Sequence, residues 1–145
     1  MKKAIAVFLL LGLLVPVGTV FAAGGQEDDQ VTIAFLFQDL ETEFWVAGHK
    51  AITETLRESG VRVIEKNANE DANRQLEQTR DVIAQGVDGI IIIPQDGESA
   101  VTIIKTANEA GIPIGVFNRP PSSEEGEAVV VVANNEVIAE QAVEH

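Results

Sequence analysis

Five short apolar runs recur along the chain, and each is closed by polar residues. They are 31–37 (VTIAFLF), 61–64 (VRVI), 89–93 (GIIII), 112–117 (IPIGVF) and 128–132 (AVVVV). These runs are rich in Ile and Val and lack strict alternation, a pattern that predicts strands buried on both faces of a parallel sheet. Between the first four runs the apolar period changes. Trp45, Gly48, Ile52 and Leu56 fall at helical spacing within 44–59, as do Leu76, Thr79 and Ile83 within 72–85. Ile103, Ile104 and Ala107 do the same within 99–110. Gly60, Gly86 and Gly111 come directly after these three segments, where a left-handed residue closes a helix at low cost. A further helical segment begins at 136 (EVIAEQAVEH). Strand and helix alternating through short connections require parallel pairing by right-handed crossovers. The predicted fold class is therefore α/β, three-layered, with an open parallel sheet and helices on both faces.

The first residues stand apart from this pattern. Lys2 and Lys3 precede an almost wholly apolar stretch, 4–17, and small residues close it at Ala22 and Ala23. Charge, apolar core and small residues in that order read as a secretory signal peptide. An uncleaved membrane anchor is the competing reading, and Pro16 and the terminal alanines favour cleavage. The expected organisation is a signal peptide at 1–22, a polar linker at 23–30 and a folded unit at 31–145. The chain contains no Cys, so neither a lipid-modified N-terminal cysteine nor a disulfide is available to it. The formal net charge is −13, and it grows more negative once the two leader lysines are removed. A surface this acidic repels phosphate backbones, so no nucleic acid is expected as a partner. Solubility is the simpler reading of the charge.

Open parallel sheets bind ligands outside the carboxyl ends of their strands, where strand order reverses. Every apolar run gives way to polar residues at that end. Gln38-Asp39 and 41–45 come after the first, Asn67 after the second, Pro94-Gln95-Asp96 after the third, Asn118-Arg119 after the fourth and Asn134-Asn135 after the fifth. The fold would gather these amides, carboxylates and one guanidinium along a single edge. Phe44 and Trp45 sit at the first strand-to-helix turn on that edge, one of them packing inward and the other facing the cleft. Aromatic rings beside amides and an Arg suit a sugar, whose hydroxyls take directed hydrogen bonds while its C–H face lies on a ring. Competing chemistries lack their parts. FQDLETEFW has no Gly-rich turn for a dinucleotide, and no GxxxxGK phosphate loop occurs. No Cys is present and no Ser shows a paired base, while His49 reads as a packing residue in the first helix. Asp96 reads as a loop or cap residue of the same rim. No cofactor or metal is expected.

The order of these motifs resembles a known family. "IAFLFQDLETEFW", "VIEKNANEDANRQLEQTRDVIAQGVDGIIIIPQD", "ANEAGIPIGVFNRPP" and "VVANNE", behind a signal peptide, are similar to the periplasmic sugar-binding proteins of ABC transporters, of the ribose- and galactose-binding type. The resemblance implies a lobe that closes with a second lobe on a sugar for delivery to a membrane permease. It matches Phe44 and Trp45 to the stacking aromatics and Asn118 and Arg119 to a hydroxyl-binding pair after the fourth strand. Thr42 stands where the family often has Asn or Asp, and Asn135 matches a position near the lobe boundary. The expected ligand set is thus Gln38, Thr42, Phe44, Trp45, Asp96, Asn118, Arg119 and Asn135. Trimming Asn118 or Arg119 is expected to affect binding and hardly the fold.

The family implies a non-enzymatic, periplasmic binding protein, here as most of its N-terminal lobe and incomplete at the C-terminus. One open sheet edge is then expected to favour self-association. Two other readings stay open on the sequence: a periplasmic ligand sensor docking on a chemoreceptor or sensor kinase, and an exported α/β enzyme.

Overall fold

The computed structural model describes residues 30–132. The helical segment from 136 and the pair Asn134-Asn135 lie outside the described residues. Within them the order is β1 (Thr32–Phe37), α1 (Glu43–Glu58), β2 (Arg62–Asn67), α2 (Ala72–Ala84), β3 (Gly89–Ile92), α3 (Gly97–Glu109), β4 (Ile114–Phe117) and β5 (Val129–Val131). The strands form one sheet in the order β2-β1-β3-β4-β5. Every pairing is parallel. None of the described helices is long and apolar enough to cross a membrane.

Register sorts the side chains between two faces. Ala34 pairs with Ile64 and Ile90, and Leu36 with Ile92, so these residues share a face. They join Ile114, Val116 and the inward stripes of α2 and α3 in the main core, including Val82, Ile103, Ile104 and Ala107. The opposite face carries Phe35, Phe37 and Ile93, against which Trp45 and Ile52 of α1 pack. The sheet is thus covered by α1 on one side and by α2 and α3 on the other.

Burial departs from expectation at the two edges. β1 and β3 lie inside the sheet and are largely buried, but no residue of β2 is fully buried and all three of β5 are exposed. Val129 and Val131 remain 69% and 52% exposed. An apolar run signals that a strand can be buried; its place in the strand order decides whether it is. β2 also continues to Asn67, beyond its apolar run, because its backbone keeps pairing with β1 up to Phe37.

Helix ends obey local chemistry. Thr42, Asp71 and Asp96 are the N-caps, each accepting from a backbone N–H of the first turn. Such side chains satisfy donors that the helix itself leaves open. At the other end of α3, Gly111 takes φ +72°, and the Ile112 N–H reaches back to the Ala107 carbonyl at 2.9 Å. That is the six-residue closure of a left-handed cap. Gly60 and Gly86 close α1 and α2 with φ of +78° and +75°.

The β4–β5 connection is tied down on α3. Lys105 pairs with Glu125 at 2.9 Å. The Asn108 side chain accepts from the Glu127 N–H at 2.7 Å and donates to its carbonyl at 3.0 Å, taking the place of a strand partner. Gly126 is required between these anchors: its φ is +96°, and a Cβ there would lie 2.7 Å from Ile104 Cγ2.

Candidate functional site

Strand order turns back at β1. The chain runs from β1 outward to β2, then returns across β1 to β3 and onward to β4 and β5. The carboxyl ends of β1 and β3 therefore flank the point of reversal, the usual position of a ligand crevice in an open parallel sheet.

Asn118 brings β4 into this arrangement. Its N–H donates to the Val131 carbonyl at 2.7 Å, completing the β4–β5 ladder. It then takes φ +69°, a left-handed conformation that Asn tolerates better than most residues. The next N–H, of Arg119, donates back to the Phe117 carbonyl at 2.9 Å, making a tight three-residue turn of the γ type. Beyond this turn the Arg119 side chain lies across the ends of β3 and β1. Its Nη1 donates to the carbonyls of Pro94, at 2.8 Å, and Gln95, and to Gln38 Oε1. One guanidinium nitrogen thus joins the ends of three strands.

This corrects the expectation that Arg119 matters for binding and hardly for folding. Gln38 is only 5% exposed, so removing Arg119 would leave a buried acceptor without its donor, a cost of about 1–3 kcal/mol. Gln38 is placed differently from expectation as well. It lies behind the edge, with Oε1 held by Arg119 and Nε2 donating to Asp39 Oδ2 at 2.8 Å. Its backbone carbonyl accepts from the Glu70 N–H at 2.8 Å.

The remaining rim residues have separate settings. Phe44 is 58% exposed, whereas Trp45 packs into the α1-side cluster. Their rings meet edge-on with centroids 4.8 Å apart. The Thr42 hydroxyl accepts from the Trp45 N–H at 3.4 Å, so its first role is to start the helix carrying both aromatics. His49 packs its ring on Phe35 and Phe37 and bonds Glu65 at 2.6 Å, clear of the edge. Asn67 Oδ1 accepts from the Asn69 N–H at 2.8 Å, shaping its own loop. Asn135 lies outside the described residues.

Asp96 forms a reciprocal cap with Ser99 at the start of α3, accepting from the Ser99 N–H at 2.7 Å. That backbone bond holds its carboxyl below the ordinary 3.8. Partial burial opposes the shift, and the Ser99 hydroxyl, the Glu98 N–H and the Arg119 charge add to it.

Two buried polar residues escape a reading of the sequence pattern alone. Gln75, wholly buried in α2, donates to the Ile93 carbonyl at 2.9 Å and accepts from the Gln95 N–H at 3.1 Å, fixing the chain as it leaves β3. Its one signal is a polar residue on the apolar stripe, one turn before Thr79. Asp39 is 5% exposed and accepts from the Glu41 N–H at 2.9 Å as well as from Gln38. Among the described residues no group of three or more His, Cys, Asp or Glu is arranged to hold a metal ion.

A parallel sheet covered by helices on both sides, with polar residues gathered at the carboxyl ends of its strands, has the architecture of a periplasmic binding lobe. The profile of the periplasmic binding protein domain matches residues 33–145, and the chain belongs to that family. It is 31% identical over 144 residues to the ribose import binding protein RbsB of Bacillus subtilis, covering 94% of this chain and 47% of that protein. It is 29% identical over 119 residues to the D-xylose-binding periplasmic protein of Haemophilus influenzae, covering 82% of this chain and 34% of that one. An ABC transporter solute binding protein from Bacillus halodurans, solved with bound myo-inositol, superposes with a TM-score of 0.60 at 33% identity, covering 65% of this chain and 33% of its own. The chain spans less than half the length of these relatives.

The setting of Asp96 predicts a pH-dependent contribution to stability. A carboxyl whose folded pKa is depressed contributes above its unfolded value, and the contribution is lost as pH falls through the folded value. Asp96→Ala should therefore destabilise the protein at pH 7 by about 1 kcal/mol, with the deficit shrinking once the pH drops below 3.8. Asp96→Asn, which still caps but does not titrate, should retain most of the neutral-pH stability. Denaturant melts at pH 7 and pH 3 measure both. Equal stability of Asp96→Ala and the parent at pH 7 would show that the cap contributes nothing.

Proposed function

We propose that this chain is part of the sugar-binding component of an ABC transporter, exported by a cleaved signal peptide and delivering its ligand to a membrane permease. It acts as a binding protein, without catalysis. The observation that carries this reading is the Arg119 guanidinium, which joins the ends of β1, β3 and β4 at the point where strand order reverses. The relatives named for ribose and xylose and the neighbour holding myo-inositol support a polyhydroxylated ligand.

The chemistry of the edge agrees with a neutral ligand. Hydroxyl groups both donate and accept. Arg119 offers donors, while Gln95 Oε1, buried without a partner among the described residues, is an acceptor. Phe44 presents an exposed ring for the apolar face of a sugar. Asp39 and Asp96 add negative charge around the single guanidinium, which makes an anionic ligand the poorer fit. In this reading Thr42 acts through the helix it starts and Gln38 through Arg119, while Asn118 supplies its amide at the turn; Asn135, which the family resemblance adds to the set, lies outside the described residues.

Phe44→Ala separates binding from folding better than Arg119→Ala, because Phe44 is the more exposed side chain. Calorimetry with ribose, xylose and myo-inositol should show Phe44→Ala losing about tenfold in affinity for the preferred sugar, with the melting temperature unmoved. Arg119→Ala should lose about ten- to a hundredfold and melt earlier. Unchanged affinity for every sugar in both variants would contradict the reading.

Self-association through the β5 edge, which no other strand covers among the described residues, is part of the same proposal. An exposed strand edge pairs readily with another chain, and light scattering should show a mass that rises with concentration. A monomer at every concentration would exclude it.

A further inference from the structure

We propose that Asp39 and Gln38 form a hydrogen-bond relay of fixed polarity that positions the Arg119 guanidinium, anchoring Nη1 and leaving Nη2 and Nε, which have no partner among the described residues, for the ligand. The relay's value for binding rests on the sugar-binding reading; its effect on Arg119 does not.

Each group in the chain of bonds has a fixed repertoire. An ionised carboxylate only accepts hydrogen bonds, a guanidinium only donates, and a primary amide has one end of each kind. Asp39 Oδ1 takes the Glu41 N–H at 2.9 Å, and Oδ2 takes Gln38 Nε2 at 2.8 Å. With its NH2 end committed to the carboxylate, Gln38 turns its carbonyl oxygen to Arg119 Nη1. The reversed amide would set oxygen against carboxylate and NH2 against guanidinium, two repulsive contacts at Gln38 and Asp39, residues each 5% exposed. The Asp39 charge thereby selects the orientation of Gln38, and that orientation selects the placement of Arg119.

The backbone leaves the relay little slack. The Gln38 carbonyl is held by the Glu70 N–H at 2.8 Å, and the Pro94 and Gln95 carbonyls take the same Nη1 from the side of β3. All three acceptors on Arg119 are neutral, and among the described residues no carboxylate forms a direct ion pair with it. The guanidinium is fixed in place while its charge stays available to a ligand oxygen. Gln38 and Asp39 are too buried to meet that ligand themselves, so they act as positioning residues.

Exchanging the two functional groups tests the relay. Asp39→Asn keeps the volume but gives Gln38 a partner that both donates and accepts, so the amide is no longer held in one orientation. Side-chain nitrogen NMR of ligand-free protein should then show the Arg119 guanidinium rotating about tenfold faster than in the parent, the loss of one charge-assisted hydrogen bond. Adding Gln38→Glu to Asp39→Asn restores the polarity. The carboxylate introduced at 38 accepts from Arg119, and the amide introduced at 39 donates to that carboxylate while still accepting from the Glu41 N–H. Rotation in the double variant should return to within about twofold of the parent, a recovery that packing alone does not predict.

A single variant indistinguishable from the parent overturns the relay, and so does a double variant as loose as the single. Should Asp39→Asn fail to fold, recovery of the fold in the double variant supports the relay and continued failure overturns it. Calorimetry of the parent with ribose, xylose and myo-inositol is judged separately. Absence of binding to all three counts against the sugar reading, while the NMR comparison still decides the relay.

Discussion

Parallel pairing sends the carboxyl end of every strand to one edge of the sheet, and the rest of this molecule depends on that constraint. Amides, carboxylates and aromatic rings that are scattered along the sequence are brought to that edge because the crossovers carry each strand back to the same start. The constraint alone would leave separate loops side by side. Arg119 fastens them: after the left-handed turn at Asn118, its guanidinium bonds residues at the ends of β1 and β3. Gln75 fixes the β3 exit from beneath, through the Ile93 carbonyl and the Gln95 N–H. Protein contacts alone thus hold this edge in place, and preorganisation of this kind would reduce the ordering cost of the proposed binding.

In the proposed binding role, such an edge would couple recognition to folding. Gln38, Asp39 and Gln75 are buried polar groups, each tolerable only because its partners are present. Their hydrogen bonds add modestly to stability, but losing one partner exposes the others to the full cost of an unmade bond. Substitutions at the centre of the edge consequently disturb both fold and site. Substitutions at its outer members, such as Phe44, leave the fold alone. The main core, built from β1, β3 and β4 against α2 and α3, is mostly apolar, its buried polar members on α2 being Gln75 and Thr79.

Much of this is legible in the sequence because it is written in local patterns. Apolar runs with intervening helical periodicity specify alternating strands and helices, and Gly60, Gly86 and Gly111 mark the three helix ends at positive φ. Once the strands are known to be parallel, the polar residues after them must share an edge. The hidden part depends on neighbours far away in sequence. Nothing in VTIAFLFQD tells that the Gln38 amide lies between an adjacent carboxylate and a guanidinium 81 residues on. The runs 31–37 and 128–132 look equally buried as sequence. Only strand order separates central β1 from exposed β5, and strand order is a global property. The double role of Arg119, holding the fold while offering donors, is hidden for the same reason.

Mapping backbone amide chemical shifts during titration with ribose, xylose and myo-inositol tests the central claim most directly, since even weak binding moves the resonances of the residues it touches. If the carboxyl edge is the binding site, the shifts caused by the preferred sugar gather at 38–45, 94–97 and 118–119, the ends of β1, β3 and β4. The helix-to-strand turns at 59–61 and 85–88, on the opposite edge, should stay unmoved. Shifts centred on those opposite turns or on β5, or none with any of the three sugars, would contradict it.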